Sequence, residues 1–502
     1  MPPLNPIGLI GIIITIALFV YFVYKGHSPF VVAAFCAIVV VLTNLQPGVS
    51  VIQQIAAPFT TVTSELGVET SGSFITGLWD MIKALFPMIF LGVIFGKVFS
   101  ATGAAESLAR TLIKKFVIKR EGKTKVAAAV IVMFVLFGLC NMGGMDCYVL
   151  MFTVAPICLI TCEMANIPRR FLPAMLCLGT PFIAAPGAPQ IFNVIAVAAM
   201  KSQIPVAAEA GAMQIVGQLA SVGPLSGWLP GLASTIVIAI LCTATLIKMI
   251  NNANDRGEIF EFGPLDKVII PDRKLPHFIV TLLPLICVFV VYTVLNQPVF
   301  IALLSGIILA LATMGYNLPK VNLKSEAISV FTRVTGVLSD GAVAYPNAMM
   351  SIATPNALAG VITSTAVFGA VVGRLAGMNV DPLLLIIIFV CIVVAITSSP
   401  PTGLFVSMSV VVPVAIGGAL AAVGGNAIAA TLPVSAHALV RVSAIAASTF
   451  ETLPANGMII VALSLARCTH KESYKPMFLM TVAYTTLGAI VAALICLIPG
   501  TV

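Results

Sequence analysis

Charge is what this sequence has least of. Asp, Glu, Lys and Arg make up 9% of its 502 residues, against 60% hydrophobic residues and a mean hydropathy of +1.11. A soluble domain carries about 25% charged residues, so a water-soluble globular protein is excluded and the chain's solvent is mostly bilayer. Long polar stretches are missing too: the longest, Lys248 to His277, holds five basic and five acidic residues with too little apolar material for a core, and reads as a linker. The start MPPLNPIGLIGIIITIALFVYFVYK lacks a basic n-region and a small-x-small cleavage site, so its apolar run reads as an uncleaved first span.

Several chemistries are excluded by patterns that do not occur. The eleven cysteines show no CxxC or Cys/His spacing and the four histidines are scattered, which argues against a disulfide framework and a zinc site. There is no HExxH, no plausible Ser and His pairing and no pair of aspartates in adjacent spans, which argues against an intramembrane enzyme. Without GxGxxG after a strand or GxxxxGK followed by Ser or Thr, a nucleotide-driven pump is unsupported, and no cofactor is implied. The net charge of +8 sits in short loops between apolar runs, where it orients a membrane protein; nucleic acid is not an expected partner.

What the sequence does have is a succession of apolar runs close to the roughly 20 residues that span a ~30 Å hydrocarbon core. The loop RTLIKKFVIKREGKTK carries seven basic residues, Arg110, Lys114, Lys115, Lys119, Arg120, Lys123 and Lys125, and is expected to be cytoplasmic and to meet lipid headgroups; Arg169 and Arg170 follow on the same side. Between these clusters the chain goes in, reaches CNMGGMDC (140-147) and returns. Charge alone permits either two full crossings or a re-entrant hairpin; the short first arm and polar, glycine-rich tip favour the hairpin. Threaded this way, all but five of the 26 Lys and Arg are cytoplasmic; Lys83, Lys201, Arg374 and Arg441 are outside and Lys97 is within a span.

The expected fold is an all-α polytopic membrane protein of ten crossings and two re-entrant hairpins, with both termini outside. Residues 1-247 form a first repeat, with a hairpin at 126-167 and a broken helix at 171-200. A cytoplasmic linker covers 248-277, and residues 278-502 form a second repeat with a hairpin at 382-420 and a broken helix at 432-466. Short alignments support this register: GKVFSATGAAESLARTL with AGVITSTAVFGAVVGRL, CNMGGMD with TSSPPTG, and TPFIAAPGAP with STFETLPANG. An odd number of crossings per half inverts the second copy, and the loop after 359-375, poor in Lys and Arg, agrees. In TSSPPTG (397-403) the prolines are read as stopping a helix and Gly403 as allowing a reversal. Inverted halves with broken helices meeting at mid-bilayer describe a secondary transporter, in which half-helix N-termini attract an anion and unwound carbonyls hold a cation.

Four stretches, YKGHSPFVVAAF, GKVFSATGAAESLARTLI, GMNVDPLLLIIIFVCIVVAITSSPPTG and GPLSGWLPG, resemble the gluconate permease family of organic-acid:proton symporters, within the ion transporter superfamily. The resemblance implies a homodimer in which a scaffold carries a mobile body of hairpins and broken helices that moves like an elevator. Two departures leave the substrate open. Pro400 and Pro401 interrupt the second hairpin, and CNMGGMD replaces the first hairpin's aromatic-acidic pattern, so glycerate or hydroxybutyrate fits as well as gluconate.

Buried ionisable groups cost at least ~2.5 to 3.5 kcal/mol at the bilayer centre, which singles out Asp146 and Glu451, each at a break, as carriers of the coupling proton, or less favourably of sodium. The competing role is capping of a half-helix. Asn141, Thr180, Ser398, Ser399, Thr402, Ser448, Thr449 and Asn456 are candidate donors to a carboxylate and its hydroxyls; alternatively they repair their own helix ends. Gly143, Gly144, Gly187 and Gly403 are read first as turn formers and second as part of the substrate cradle. Arg441 is placed either to neutralise an incoming acid or to snorkel to the interface. A cation:proton antiporter is the other transporter reading, and it calls for more acidic residues at the breaks than these two.

Overall fold

A computed structural model describes residues 5-25, 27-63, 69-145, 147-261, 274-318, 326-376, 380-397, 400-450, 452-453 and 457-502. Among the described residues the regular structure is helical apart from a ribbon of two three-residue strands, β1 (Thr61–Thr63) and β2 (Glu69–Ser71), paired antiparallel with Val62 opposite Thr70. The helices of the first part are α1 (Pro6–Tyr24), α2 (Pro29–Thr43), α3 (Val51–Ala56), α4 (Ser73–Ala101), α5 (Ala104–Phe116), α6 (Gly122–Met142) and α7 (Cys147–Met164). They are followed by α8 (Leu172–Leu176), α9 (Thr180–Ile183), α10 (Ile191–Lys201), α11 (Ile204–Glu209), α12 (Met213–Ala220) and α13 (Trp228–Asn254). The second part comprises α14 (Phe278–Phe289), which runs into a π-helical turn (Val290–Val294), then α15 (Val299–Met314), α16 (Glu326–Thr363), α17 (Ala366–Ala376), α18 (Pro382–Thr397) and α19 (Pro400–Ala422). It ends with α20 (Ala436–Ala447), α21 (Gly457–Ala466), α22 (His470–Phe478), a second π-helical turn (Leu479–Ala483) and α23 (Tyr484–Cys496).

Six of the described helical segments are long and apolar enough to cross a membrane alone, and α4, bent by 51° between Ser73–Lys83 and Leu85–Ala101, makes a seventh. The bend has an identifiable cause: Pro87 lies inside the helix, and its ring excludes the carbonyl of Lys83 one turn back. Where α4 crosses α16 the backbones touch, because a Cβ on Gly77 would fall 2.6 Å from the Asn356 carbonyl and one on Gly360 would fall 2.4 Å from that of Ser73. Small residues that let backbones approach are how helices associate in lipid, where no hydrophobic force acts between them. Helix α16 begins well before the apolar run at 340-362, and α13 extends seven residues into the expected linker.

Packing sorts the helices into two groups. The first contains α1, α2, α4, α14, α15 and α16: α1 lies on α2, α14 on α15 and α4 on α16, while α2 packs on α16 as α15 packs on α4. The second contains the helix pairs α6 with α7 and α18 with α19, the interrupted elements α8–α10 and α20–α21, and α13 against α23. Helix α5 joins the groups by touching α4 and α14 on one side and α6 and α7 on the other; α17, which contacts α1, α16 and α19, does so in the second half.

Candidate functional site

Helices stop within both CNMGGMDC (140-147) and TPFIAAPGAP (180-189), the stretches expected to hold the first tip and the first break. Helix α6 ends at Met142, and Gly144 takes a left-handed conformation (φ +83°) that spares only glycine from strain. This tip is wedged against the first group of helices: a Cβ on Gly143 would lie 2.4 Å from a Leu285 methyl of α14, and one on Gly144 would meet Val288, Leu303 and Pro189 within 3.3 Å. Asn141 is fully buried; its Nδ2 donates to the Phe137 carbonyl at 2.9 Å, while its Oδ1 receives no hydrogen bond from the described residues. At the end of α6, Gln190 Nε2 donates to the Met145 oxygen at 3.1 Å and to the Asn141 oxygen at 2.7 Å, which also accepts the Gly144 N–H at 3.0 Å. A side chain from the broken helix therefore caps the hairpin.

In the first break, the Thr180 hydroxyl donates to the carbonyl of Cys177 at 2.7 Å, and Asn193 returns from α10 to hold the carbonyls of Ala185 (2.7 Å) and Ala188 (2.9 Å). Thr293, in the π-helical turn after α14, donates to the Gly187 carbonyl at 2.7 Å, so this break is also tied to the first group of helices. The second break repeats the local chemistry. Ser448, which aligns with Thr180, donates to Ile445 at 2.7 Å, Thr449 donates to Ala446 at 2.7 Å, and Thr449 also lies 3.2 Å from the thiol of Cys391 on α18. Each of these three hydroxyls donates to the carbonyl three residues back, finishing a helix that stops inside the protein. Their lone pairs remain available as acceptors.

The second hairpin corrects one expectation. Pro400 and Pro401 do not end a helix; they open α19, as suits a first turn whose N–H groups would be unpaired anyway. Gly403 accordingly lies inside α19 and makes no reversal. A Cβ there would fall 2.3 Å from Val394 Cγ2, so its role in the structure is to let α19 approach α18. Thr402 falls in the same first turn. Asp146, Ser398, Ser399, Glu451 and Asn456 lie outside the described residues.

The halves interlock. Helix α10, after the first break, packs on α19 and α20, and α21, after the second break, packs on α7 and α8. Arg441 bolts this junction and corrects one reading from sequence: it does not snorkel to the interface. It is 1% exposed, and its guanidinium donates to the carbonyls of Ala184 (2.7 Å), Ser226 (2.9 Å) and Pro224 (3.1 Å) and to Asn193 Oδ1 (2.7 Å). Sequence reasoning also passed over Gln190 and Asn193, although two amides three residues apart in an apolar run just after a break were a usable signal. Ser407, buried on α19 with a hydroxyl that makes no hydrogen bond, had no such signal. Beside the first turns of α19 a cleft of about 580 Å³ opens against α4 and α16, lined by Ser73, Asp80, Asn356, Thr363, Phe405 and Val406 among others.

No family model matches the chain. An uncharacterized transporter of Bacillus subtilis (strain 168), YxjC, is 31% identical over 216 residues, which is 42% of this chain and 40% of the relative. The match thus spans well under half the length of that relative. Among solved structures, the YdaH transporter of Alcanivorax borkumensis aligns over 96% of this chain and 97% of its own, with 12% identity and a TM-score of 0.48. The described residues form a predominantly helical membrane protein, and the relative it resembles in sequence is a transporter.

Proposed function

We propose that this protein is a secondary active transporter that carries a small organic acid anion, of the gluconate, glycerate or hydroxybutyrate kind, together with a proton across the cytoplasmic (inner) membrane. The observation that carries the reading is the exchange of partners between halves, α10 with α19 and α21 with α7. In the proposed carrier this exchange draws the two broken elements and the two helix pairs around one region, where freed backbone groups and hydroxyls line a site away from lipid. The recurring element order supports inverted repeats with ten crossings, the paired helices being re-entrant hairpins. The two packing groups support an elevator, in which α1, α2, α4, α14, α15 and α16 form the scaffold of a homodimer and the remainder moves.

Within this reading Asp146 and Glu451 carry the coupling proton. Asn141 Oδ1, a buried acceptor without a donor, takes a substrate hydroxyl. The same orphan oxygen favours sodium as the second reading, since a hard cation seeks oxygen ligands.

The test is uptake of labelled gluconate, glycerate and hydroxybutyrate into liposomes containing the purified protein, first under an inward proton gradient and then under a sodium gradient. Accumulation driven by the proton gradient is expected. Accumulation driven only by sodium replaces the coupling ion, and uptake needing neither gradient removes the symport reading.

A further inference from the structure

We infer that the exposed face of α5 and the turn after it form a binding site for the headgroups of anionic phospholipids, and that occupancy of this site sets the rate at which the two helix groups move past each other. The second half of that statement rests on the transporter reading above; the first does not.

Helix α5 is strongly two-sided. Ala104, Ala105, Ser107, Leu108, Ala109, Leu112 and Ile113 are buried against its neighbours, and the Ser107 hydroxyl donates to the Pro276 carbonyl, which fixes the rotation of the helix. That rotation turns Arg110, Lys114, Lys115 and Phe116 outward, and the following turn adds Ile118, Lys119 and Arg120. Two of the seven cations between 104 and 125 are already engaged. Arg110 pairs with Glu106 at 2.6 Å and Lys123 with Asp255 at 2.7 Å. Lys114, Lys115, Lys119, Arg120 and Lys125 have no carboxylate within salt-bridge distance among the described residues; Glu121 is the other acid in the segment.

A need to stay soluble does not explain this composition, because Phe116 (42% exposed) and Ile118 (52%) stand among the charges, and the Lys115 ammonium lies 5.5 Å from the Phe116 ring centroid. Apolar rings and branched chains interspersed with lysines match the boundary between acyl chains and phosphates, where the former find hydrocarbon and the latter find phosphodiester oxygens. Orientation alone does not require it either. A positive-inside bias is satisfied by charges anywhere in the loop. Here they are clustered on the helix that touches α4 and α14 on one side and α6 and α7 on the other. A headgroup held there grips the connecting arm between the two groups, directly before the first hairpin.

The experiment uses the full-length protein in nanodiscs of phosphatidylcholine with and without about one third phosphatidylglycerol, and short-chain phosphatidylglycerol as a titrant in detergent. Each cation near an anionic surface contributes about fivefold in affinity. Lys114→Gln, Lys115→Gln, Lys119→Gln and Arg120→Gln combined should therefore weaken phosphatidylglycerol binding at least tenfold, while the corresponding Lys→Arg variant at 114, 115 and 119 retains it. Melting in phosphatidylcholine should be the same for all three proteins, which separates lost binding from misfolding. Unchanged binding in the glutamine variant overturns the site, and so does displacement of the lipid by millimolar inorganic phosphate, which would make it a free-anion site. If binding is lost but uptake in phosphatidylglycerol matches the wild type, the rate-setting role falls and the lipid site stands. If the wild type transports none of the acids, the proposed function fails while the binding result is unaffected.

Discussion

A buried arginine usually implies an acid, yet the partners of Arg441 are three carbonyls and an amide oxygen. Its charge is spread over dipoles supplied by two loops and the Asn193 amide, and this makes it a bolt between α20, the first break and the loop before α13. Arg441→Met keeps much of the volume and leaves three acceptors without this donor, the Ala184 and Ser226 carbonyls and Asn193 Oδ1, while the Pro224 carbonyl keeps the Gly187 N–H at 3.0 Å; each costs about 1 to 3 kcal/mol when buried and unpaired. Allowing for relaxation, we expect a loss of roughly 3 to 5 kcal/mol, read as a lowered melting temperature of the purified protein without substrate. Arg441→Lys should recover only part of it, because an ammonium cannot reproduce a planar fork. A variant that melts like the wild type but loses uptake would return Arg441 to the substrate. Gln190→Met is the milder companion: it removes the side-chain donor to the Met145 carbonyl and one of the two donors to that of Asn141 and should cost about 1 to 3 kcal/mol in the same assay.

Among the elements, the two helix pairs look alike in outline and differ in how their tips are built. The first turns on Gly144 in a left-handed conformation and is pinned by Gln190; the second restarts on Pro400 and closes on Gly403. Gly403→Val places new carbons where the Val394 side chain already sits, and overpacking of this kind costs typically ~1 to 3 kcal/mol. Val394→Ala in the same protein should restore most of the loss, so the double mutant is expected to melt above the single one. A double mutant no more stable than Gly403→Val would mean that the glycine serves the backbone or a ligand rather than the contact. These cases show what was readable from sequence. Prolines, glycines and hydroxyls inside apolar runs marked where helices stop, since they act on their own backbone within a few residues. The direction of their effect at 397-403 was not readable, because a proline that ends one helix and a proline that starts the next look the same until the neighbouring turn is seen. Contacts such as Arg441 with Ser226, 215 positions apart, leave no local trace at all.

Across the whole molecule, the first break and the first hairpin tip press on α14 and α15 through Thr293, Gly143 and Gly144, while a cleft separates α19 from α4 and α16. The first tip is therefore seated on the proposed scaffold, whereas the start of α19 borders the cleft that leads toward α4 and α16. Coupling then demands that the loaded carrier move only with its proton. A permanently neutral side chain in place of the carrier carboxylate mimics the protonated state and should let the substrate exchange without the proton. Asp146→Asn and Glu451→Gln are accordingly expected to retain counterflow of labelled acid between preloaded liposomes and buffer. Accumulation under a gradient of one pH unit, about tenfold for one proton per anion, should drop to unity in whichever variant removes the carrier. The two assays on the same vesicles separate a lost coupling group from a lost site, because a damaged site abolishes both. Accumulation at the wild-type ratio in both variants would show that neither carboxylate carries the proton, and the search would move to the acid in the open cleft, Asp80.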